Sequence, residues 1–315
     1  MRGGIQNYTH TRKSGDRIPK LNEDDRALWD NGIKQPTSVR LLGMKPIVFT
    51  DLDGTLLNHH TYSFDAAVPT IEKCRRSRIP VVPVTSKTRR EVEAIVRELG
   101  LSGTFAVENG SGIFVRRDDS DFAVTDAKIE DNYSCIQLGC TYTEARRGLR
   151  QLETAIASPL KGFGDLSVSE IQQLTNLPPA EATNARDREF SEPFVPPENI
   201  APETIEAAAK NLGLRVLVGG RFCHLIGQNA GKGNAVRWLV DRYRDRYPEE
   251  KIVTIGLGDS PNDLELLEAV DRPIIIPGKT GRPHPQLGDR GWDIAPDVAP
   301  EGWAAAVERS LSDIA

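Results

Sequence analysis

Residues 47–57 read I-V-F-T-D-L-D-G-T-L-L. A continuous apolar run that ends in two carboxylates predicts a strand buried on both faces, delivering Asp51 and Asp53 to the open end of a parallel sheet, where such sheets keep their chemistry. The two acids are two positions apart, so they project to the same side while the chain stays extended. Gly54 then permits a sharp turn with amides free to face an anion. Carboxylates grouped this way suit Mg²⁺, which takes a few hard oxygen ligands and keeps its other positions for water and phosphate. Taken alone, the same letters also fit a strand, an Asp-Gly turn and a helix cap. Three later stretches decide between the two.

Composition narrows the field first. A chain of 315 residues, 38% hydrophobic and 27% charged, predicts one large or two moderate domains with a substantial core. A formal charge of −5 and a pI near 5.7 argue against a nucleic-acid surface, which needs basic residues concentrated on one face. No apolar run approaches the ~20 residues that span a bilayer, and the first residues lack the apolar stretch of a secretory signal. The expectation is a cytoplasmic protein acting on a small molecule, with neither nucleic acid nor membrane as partner; oligomeric state stays open. Cys74, Cys135, Cys140 and Cys223 have no metal-ligand spacing and read as packing thiols.

Residues 1–43 mix Arg2, Arg12, Lys13 and Arg17 with Glu23-Asp24-Asp25 and show little apolar periodicity, which predicts an extension that is flexible or laid over the surface. Met44, just before the first strand, is an alternative start. After the Asp51 loop, Ala67, Ile71 and Cys74 stand at helical spacing within 65–78, and Ile79–Val84 forms a second apolar strand. That strand ends in Thr85-Ser86-Lys87-Thr88, and a helix over about 89–99 is closed by Gly100. Phe105–Val107 predicts a third strand running into Glu108-Asn109-Gly110-Ser111-Gly112. Ile113–Val115 is expected to form a hairpin with Phe122–Val124 around Asp118-Asp119.

From about residue 130 the pattern changes. Capping boxes at Thr141 with Glu144 and at Ser167 with Glu170 open helices to about 156 and 175. Ala185–Phe194 predicts a strand, 202–212 a helix, and 214–218 with 221–226 a hairpin turning on Gly219-Gly220. The fold class is therefore α/β, a Rossmann-like parallel-sheet core over 44–129 and 227–315, with an α+β cap inserted over 130–226. The core resumes with Lys232 before a helix over 233–246, a strand over 252–257 and the loop Gly258-Asp259-Ser260-Pro261-Asn262-Asp263. A helix over 264–270, a strand over 273–276 and a closing helix over 303–310 follow.

Four polar groups thus follow apolar segments in order: Asp51 with Asp53, Thr85 to Lys87, Lys232, and Asp259 with Asp263. Side by side in one parallel sheet, their loops would open on one edge as a site for phosphate and Mg²⁺. A carboxylate ~4 Å from a phosphate dianion, at an effective dielectric near 20, meets repulsion of about 8 kcal/mol. A cation and Lys232 are needed to cancel it.

In order and wording these motifs resemble the haloacid dehalogenase superfamily: D-L-D-G-T first, T-S-K second, the lysine of G-K-G third and G-D-S-P-N-D fourth. The resemblance implies that Asp51 is the nucleophile that forms an aspartyl-phosphate and Asp53 the general acid and base. It further implies that Asp51, the Asp53 carbonyl and Asp259 hold Mg²⁺ with Asn262 and Asp263 in support, and that Thr85, Ser86 and Lys232 take phosphate oxygens. Closer still, the chain is similar to the mannosyl-3-phosphoglycerate phosphatase family from Lys45 on. The stretches that carry this are P-V-T-S-K-T-R-R-E at 83–91, V-E-N-G-S-G at 107–112, K-G-F-G-D at 161–165, A-R-D-R-E-F-S-E-P-F at 185–194 and V-G-G-R-F-C-H-L at 218–225. N-A-G-K-G at 229–233 departs from the pattern, in which an acidic residue commonly precedes K-G.

This implies a mannosyl-3-phosphoglycerate substrate and a compatible-solute role, with Lys87, Arg186, Arg188, Glu192, Arg221 and His224 contacting it. Read without the resemblance, arginines and glutamates on such strands are more often surface ion pairs. The rivals are the glucosyl epimer or a sugar phosphate such as sucrose phosphate and, in a different class, a non-catalytic sensor of phosphate ligands.

Overall fold

The computed structural model describes residues 43–119, 124, 127–218 and 221–314. The expected N-terminal extension, Phe122 of the expected hairpin and the Gly219-Gly220 turn lie outside the described residues. The predicted first strand is β1, Met44–Thr50. Its alternate residues feed opposite sides of the sheet: Val48 joins one hydrophobic cluster, with Leu52, Ile71 and Trp303, and Ile47 and Phe49 join another, with Leu239 and Tyr243. Each such fully buried side chain contributes about 1.5–3 kcal/mol. Burial on both faces is why the run reads as continuously apolar rather than alternating.

Helix α1, Val68–Arg76, leads to β2, Val81–Pro83, and α2, Arg89–Leu99, follows with a complete capping box between Thr88 and Glu91 and a left-handed Gly100 at its end. Next come β3, Phe105–Val107, and β4, Gly112–Arg116. The expected hairpin partner of β4 is replaced: β4 pairs antiparallel with β3 on one edge and on the other with β6, Tyr133–Gln137, which is itself flanked by β5, Lys128–Glu130. With both edges of β4 taken, its backbone groups are satisfied without 122–124. These pairings also carry the core's hydrogen bonding past the expected boundary at 130.

The cap region follows. It contains α3, Tyr142–Ala155, α4, Val168–Thr175, α5, Pro179–Arg186, β7, Glu192–Phe194, α6, Pro202–Asn211, β8, Leu214–Val218, and β9, Cys223–Gly227. Both predicted capping boxes form. The expected strand over 185–194 shrinks to its last three residues. Pro179 in the first turn starts a helix on which Ala182 and Ala185 are the buried positions, and the chain turns through 187–191 before extending. Small alanines three apart supply a helical face that an eye tuned to bulky residues overlooks. The three cap strands form an antiparallel sheet in the order β7-β9-β8. It packs a core of its own from Leu149, Leu152, Phe194, Ile205 and Leu225.

The chain then returns to α7, Lys232–Arg246, and β10, Lys251–Gly258, and then runs through α8, Leu264–Glu268, and β11, Arg272–Ile275. A short α9, Pro285–Gly288, β12, Asp293–Ile294, and α10, Glu301–Ser312, complete it. The parallel sheet has the order β12-β11-β10-β1-β2. A bridge from Val84 to Ala106 ties β2 to β3. No helix among the described residues is long and apolar enough to cross a membrane.

Candidate active site

The sheet order sets β1 between β2 and β10, so the loops after these three strands open together. Asp51 leaves the end of β1 with its amide still bonded to Leu257 O at 3.0 Å. The Thr50 hydroxyl, which accepts from the Trp303 indole, donates to the Asp51 carbonyl. Gly54 sits at φ +80, and a Cβ there would lie 2.7 Å from Asp259 Oδ2. Only glycine admits that conformation and that approach, so the turn brings the first and fourth motifs into contact. Thr55 Oγ1 completes the junction by donating to Asp259 Oδ1 at 3.1 Å.

Lys232, in the first turn of α7, is buried and bridges two carboxylates: Nζ donates to Asp51 Oδ1 at 2.7 Å and to Asp263 Oδ1 at 2.5 Å. One of its three donors is left for a phosphate oxygen. Asp263 Oδ2 in turn accepts from the amides of Asp259 and Ser260, both at 3.1 Å, which fixes the fourth loop. Asp51, Asp259 and Asp263 each offer an oxygen within 4.8 Å of the others. Against these three carboxylates stands the single ammonium of Lys232, so the cluster carries two uncompensated negative charges when ionised. Burial pushes Asp51 up to about 7, with Lys232 opposing, and pushes Asp259 up to about 8, with Asp263 and Asp51 adding repulsion. A cluster of hard oxygens short of two positive charges fits a divalent cation.

The second motif supplies the adjoining wall. Ser86 and Lys87 line the cleft. Thr85 is buried, its hydroxyl accepting the Lys87 amide at 3.3 Å. Lys87 Nζ stands 2.9 Å from Asp53 Oδ2. Asn262 lines the cleft and donates to Asn109 Oδ1 at 3.4 Å.

The cleft between this edge and the cap encloses about 740 Å³, ample for a phosphorylated disaccharide-sized molecule. From the cap come Arg188, Arg221 and His224, with Phe222 and Phe163 forming an apolar stretch between polar groups. The two Phe rings meet edge to face at 4.9 Å. Arg188 spans the two regions: Nη1 donates to the carbonyl of Ser86 at 2.9 Å, and Nε to Ala185 O at 3.1 Å. Arg221 donates to the carbonyls of Leu174 and Thr175 at the end of α4. His224 Nδ1 is buried without a hydrogen-bond partner among the described residues, and burial, with Arg188 and Lys232 adding to it, pulls its pKa down to about 3.

Comparison with known proteins agrees with this geometry. Residues 48–138 match the family described as haloacid dehalogenase-like hydrolase, and residues 158–282 match that described as sucrose-6F-phosphate phosphohydrolase. A Persephonella marina protein named glucosyl-3-phosphoglycerate/mannosyl-3-phosphoglycerate phosphatase is 39% identical over 268 residues, 85% of this chain and 98% of that one. The chain belongs to this phosphatase family. A relative of the same name from Methanococcoides burtonii is also 39% identical, over 84% of this chain and 96% of its own. In fold, a haloalkanoate-superfamily phosphatase from Bacteroides thetaiotaomicron aligns with a TM-score of 0.60 at 16% identity, covering 90% of this chain and 98% of that one.

Within the phosphatase family's frame, two expected cap ligands lie away from the cleft. Arg186 is exposed at the end of α5. Glu192 is fully buried inside the cap, where Oε1 accepts from the Gly164 amide at 2.8 Å and from Arg146 at 3.1 Å.

The structure adds residues that the motifs did not single out. His59, Tyr62, Lys279 and His284 line the mouth, and Lys279 and His284 sit in the loop after β11, a strand end where the parallel-sheet rule could have found them. Glu108 and Asn109 adopt left-handed φ of 50 and 58, a strained conformation held by amide bonds to Lys87 O and Thr85 O. The Glu108 carboxylate, wholly buried, accepts from the amides of Glu189 and Phe190 and from Ser191 Oγ. Gly110 follows at φ +75, where a Cβ would meet Gly231 O at 2.3 Å. The loop therefore joins the second motif, the third motif and the cap.

Proposed function

We propose that this chain hydrolyses mannosyl-3-phosphoglycerate to mannosylglycerate and phosphate through an aspartyl-phosphate on Asp51, with Mg²⁺ as the metal. The observation that carries the reading is the meeting of Asp51, Lys232, Asp263 and Asp259 at one sheet edge that faces a cleft walled by Arg188 and His224. Asp51, the Asp53 carbonyl and Asp259 would hold the ion, with Asn262 and Asp263 supporting them. Bound there, the ion supplies charge neutralisation between carboxylate and phosphate.

The chain's own groups do the rest. Lys232 draws Asp51 Oδ1 toward itself and directs one N–H at the incoming phosphate, and Ser86 and Thr85 take further phosphate oxygens. Asp51 attacks phosphorus while Asp53 protonates the departing glycerate oxygen; Asp53 then takes a proton from the water that releases phosphate. Thus the core, 44–137 with 227–314, would perform the chemistry, and the cap, 138–226, would exclude bulk water and select the alcohol. Arg188 and Arg221 suit the glycerate carboxylate and sugar hydroxyls.

The relatives' shared name supports the glucosyl epimer as a second substrate, since the two sugars differ in one hydroxyl. The match over 158–282 supports testing sucrose phosphate beside them. The deciding experiment is phosphate release over a panel of mannosyl- and glucosyl-3-phosphoglycerate, sucrose phosphate and 3-phosphoglycerate. A large preference in kcat/KM for the 3-phosphoglycerate glycosides is expected; equal turnover of the whole panel would leave a phosphatase without this specificity. The expected setting is the cytoplasm, which fractionation of the native host would check.

A further inference from the structure

Lys87 stands in the second motif as an expected substrate ligand, yet its ammonium is already engaged. Nζ lies 2.9 Å from Asp53 Oδ2 and 3.6 Å from Glu91 Oε1, and 5.3 Å from the centroid of the Tyr62 ring, a cation over an aromatic face. An ammonium has three donors and no acceptor; the short contact to Asp53 takes one of them, and Glu91 and the Tyr62 ring hold the charge in place from further away. The side chain is only 11% exposed. Its backbone is pinned too, the amide to Thr85 Oγ1 and the carbonyl to the Glu108 amide.

The two oxygens of Asp53 are treated differently. Oδ2 is held by Lys87, whereas Oδ1 is buried with no hydrogen-bond partner among the described residues; the side chain as a whole is 39% exposed. The terminal torsion of a carboxylate is broad and roughly two-fold, so an untethered Asp53 would swing its oxygens freely. We propose that Lys87 is a positioning residue for proton transfer: by holding Oδ2 at 2.9 Å it fixes the plane and direction of the Asp53 carboxyl group that exchanges protons with the reacting groups. The proposal rests on Asp53 being the acid and base. In the first step an Asp51 oxygen bonds to phosphorus, the phosphorus–oxygen bond to the alcohol breaks with its electron pair staying on that oxygen, and the Asp53 carboxyl proton moves to it. In the second, water's oxygen bonds to phosphorus, one of its protons moves to the Asp53 carboxylate, and the bond from Asp51 to phosphorus breaks with its electron pair returning to the Asp51 oxygen.

The test compares kcat/KM, which reports the first phosphoryl transfer, on three esters. They are mannosyl-3-phosphoglycerate, glycerol 3-phosphate, which keeps an alcohol leaving group without the carboxylate, and p-nitrophenyl phosphate, whose leaving group departs without a proton. Lys87→Met should lose about 10-fold or more on both alcohol esters and much less on p-nitrophenyl phosphate, with Lys87→Arg recovering part of the loss. A crystal structure of Lys87→Met should show Asp53 turned or in two orientations. Loss on the glycoside alone would make Lys87 a substrate ligand and overturn the proposal. Equal loss on all three esters, or an unmoved Asp53, would overturn it as well. A wild-type protein inert toward every ester would overturn the underlying phosphatase reading instead, a distinguishable result.

Discussion

The core wall of the cleft concentrates charge. Asp51, Asp259, Asp263 and Lys232 gather at the ends of neighbouring strands, where Lys232 holds Asp51 and Asp263 and the Thr55 hydroxyl holds Asp259. The cap wall mixes an apolar pair, Phe163 and Phe222, with the nitrogen groups of Arg188, Arg221 and His224, and its arginines satisfy themselves on backbone carbonyls. The difference teaches where each wall can tolerate change. A cluster that must balance its own field has few substitutes, because leaving one buried charge unpaired costs about 3–5 kcal/mol. A wall that recognises hydroxyls and one carboxylate can trade contacts one at a time.

The sharpest way to break this contrast is Asp51→Asn. Turnover should fall by about 10³-fold or more on every phosphate ester, with the circular dichroism spectrum retained; residual activity above a tenth of wild type would remove Asp51 from the nucleophile's role.

Next is the cation. Asp51 and Asp259 sit at about 7 and about 8 in the fold against ~3.9 for a free aspartate. Their folded pKa values are raised, so the stability they contribute is fully present below about pH 4 and is lost as pH rises through 7 to 8. A divalent ion binds the ionised form and relieves that loss. The rise in Tm on adding Mg²⁺ should therefore grow from pH 5 to pH 8, and Asp259→Ala should shrink it. A Tm shift independent of pH would argue that the ion binds elsewhere.

The cap enters third. Arg188→Ala removes a donor to the Ser86 carbonyl and a cleft cation together, and should lower kcat/KM for the glycoside by about 10- to 100-fold while p-nitrophenyl phosphate suffers less. If both substrates lost equally, the cap residue would belong with the core machinery.

His224 gives a smaller, pH-dependent effect. Its folded pKa, about 3, lies below the ordinary 6.5, so the neutral ring's contribution is fully present above pH 6.5 and is lost as pH falls toward 3. Denaturant titrations of His224→Gln against wild type should converge as the pH is lowered through that window. The smallest effect is expected at the seam: Arg90 pairs with Asp187 across core and cap, but both side chains are more than half exposed. Arg90→Ala should change stability by no more than about 1 kcal/mol.

How much could be read before folding follows the same division. The core strands, the helix caps at Thr141 and Ser167, and the four motif groups are local statements: a strand end, a glycine turn and a cap are each written within a few residues, and the parallel-sheet rule alone brings strand ends together. The sequence by itself thus determined an α/β core with an inserted cap, and it put Asp51, Asp53, Lys232, Asp259 and Asp263 on loops expected to open on one sheet edge; which of them touch was left to the fold.

Only the tertiary structure decided that Glu192 turns into the cap while Arg188 reaches the Ser86 carbonyl, because the alternation of strand faces depends on where β7 begins, and the end of α5 and the turn after it take the place of the expected strand up to residue 191. It also decided that β4 is filled on both edges by β3 and β6. And it decided that Lys87, expected among the substrate contacts, stands 2.9 Å from Asp53 Oδ2. Which partner a long, flexible ammonium or guanidinium takes is fixed by three-dimensional neighbours, since its own sequence neighbours offer it many partners of similar strength.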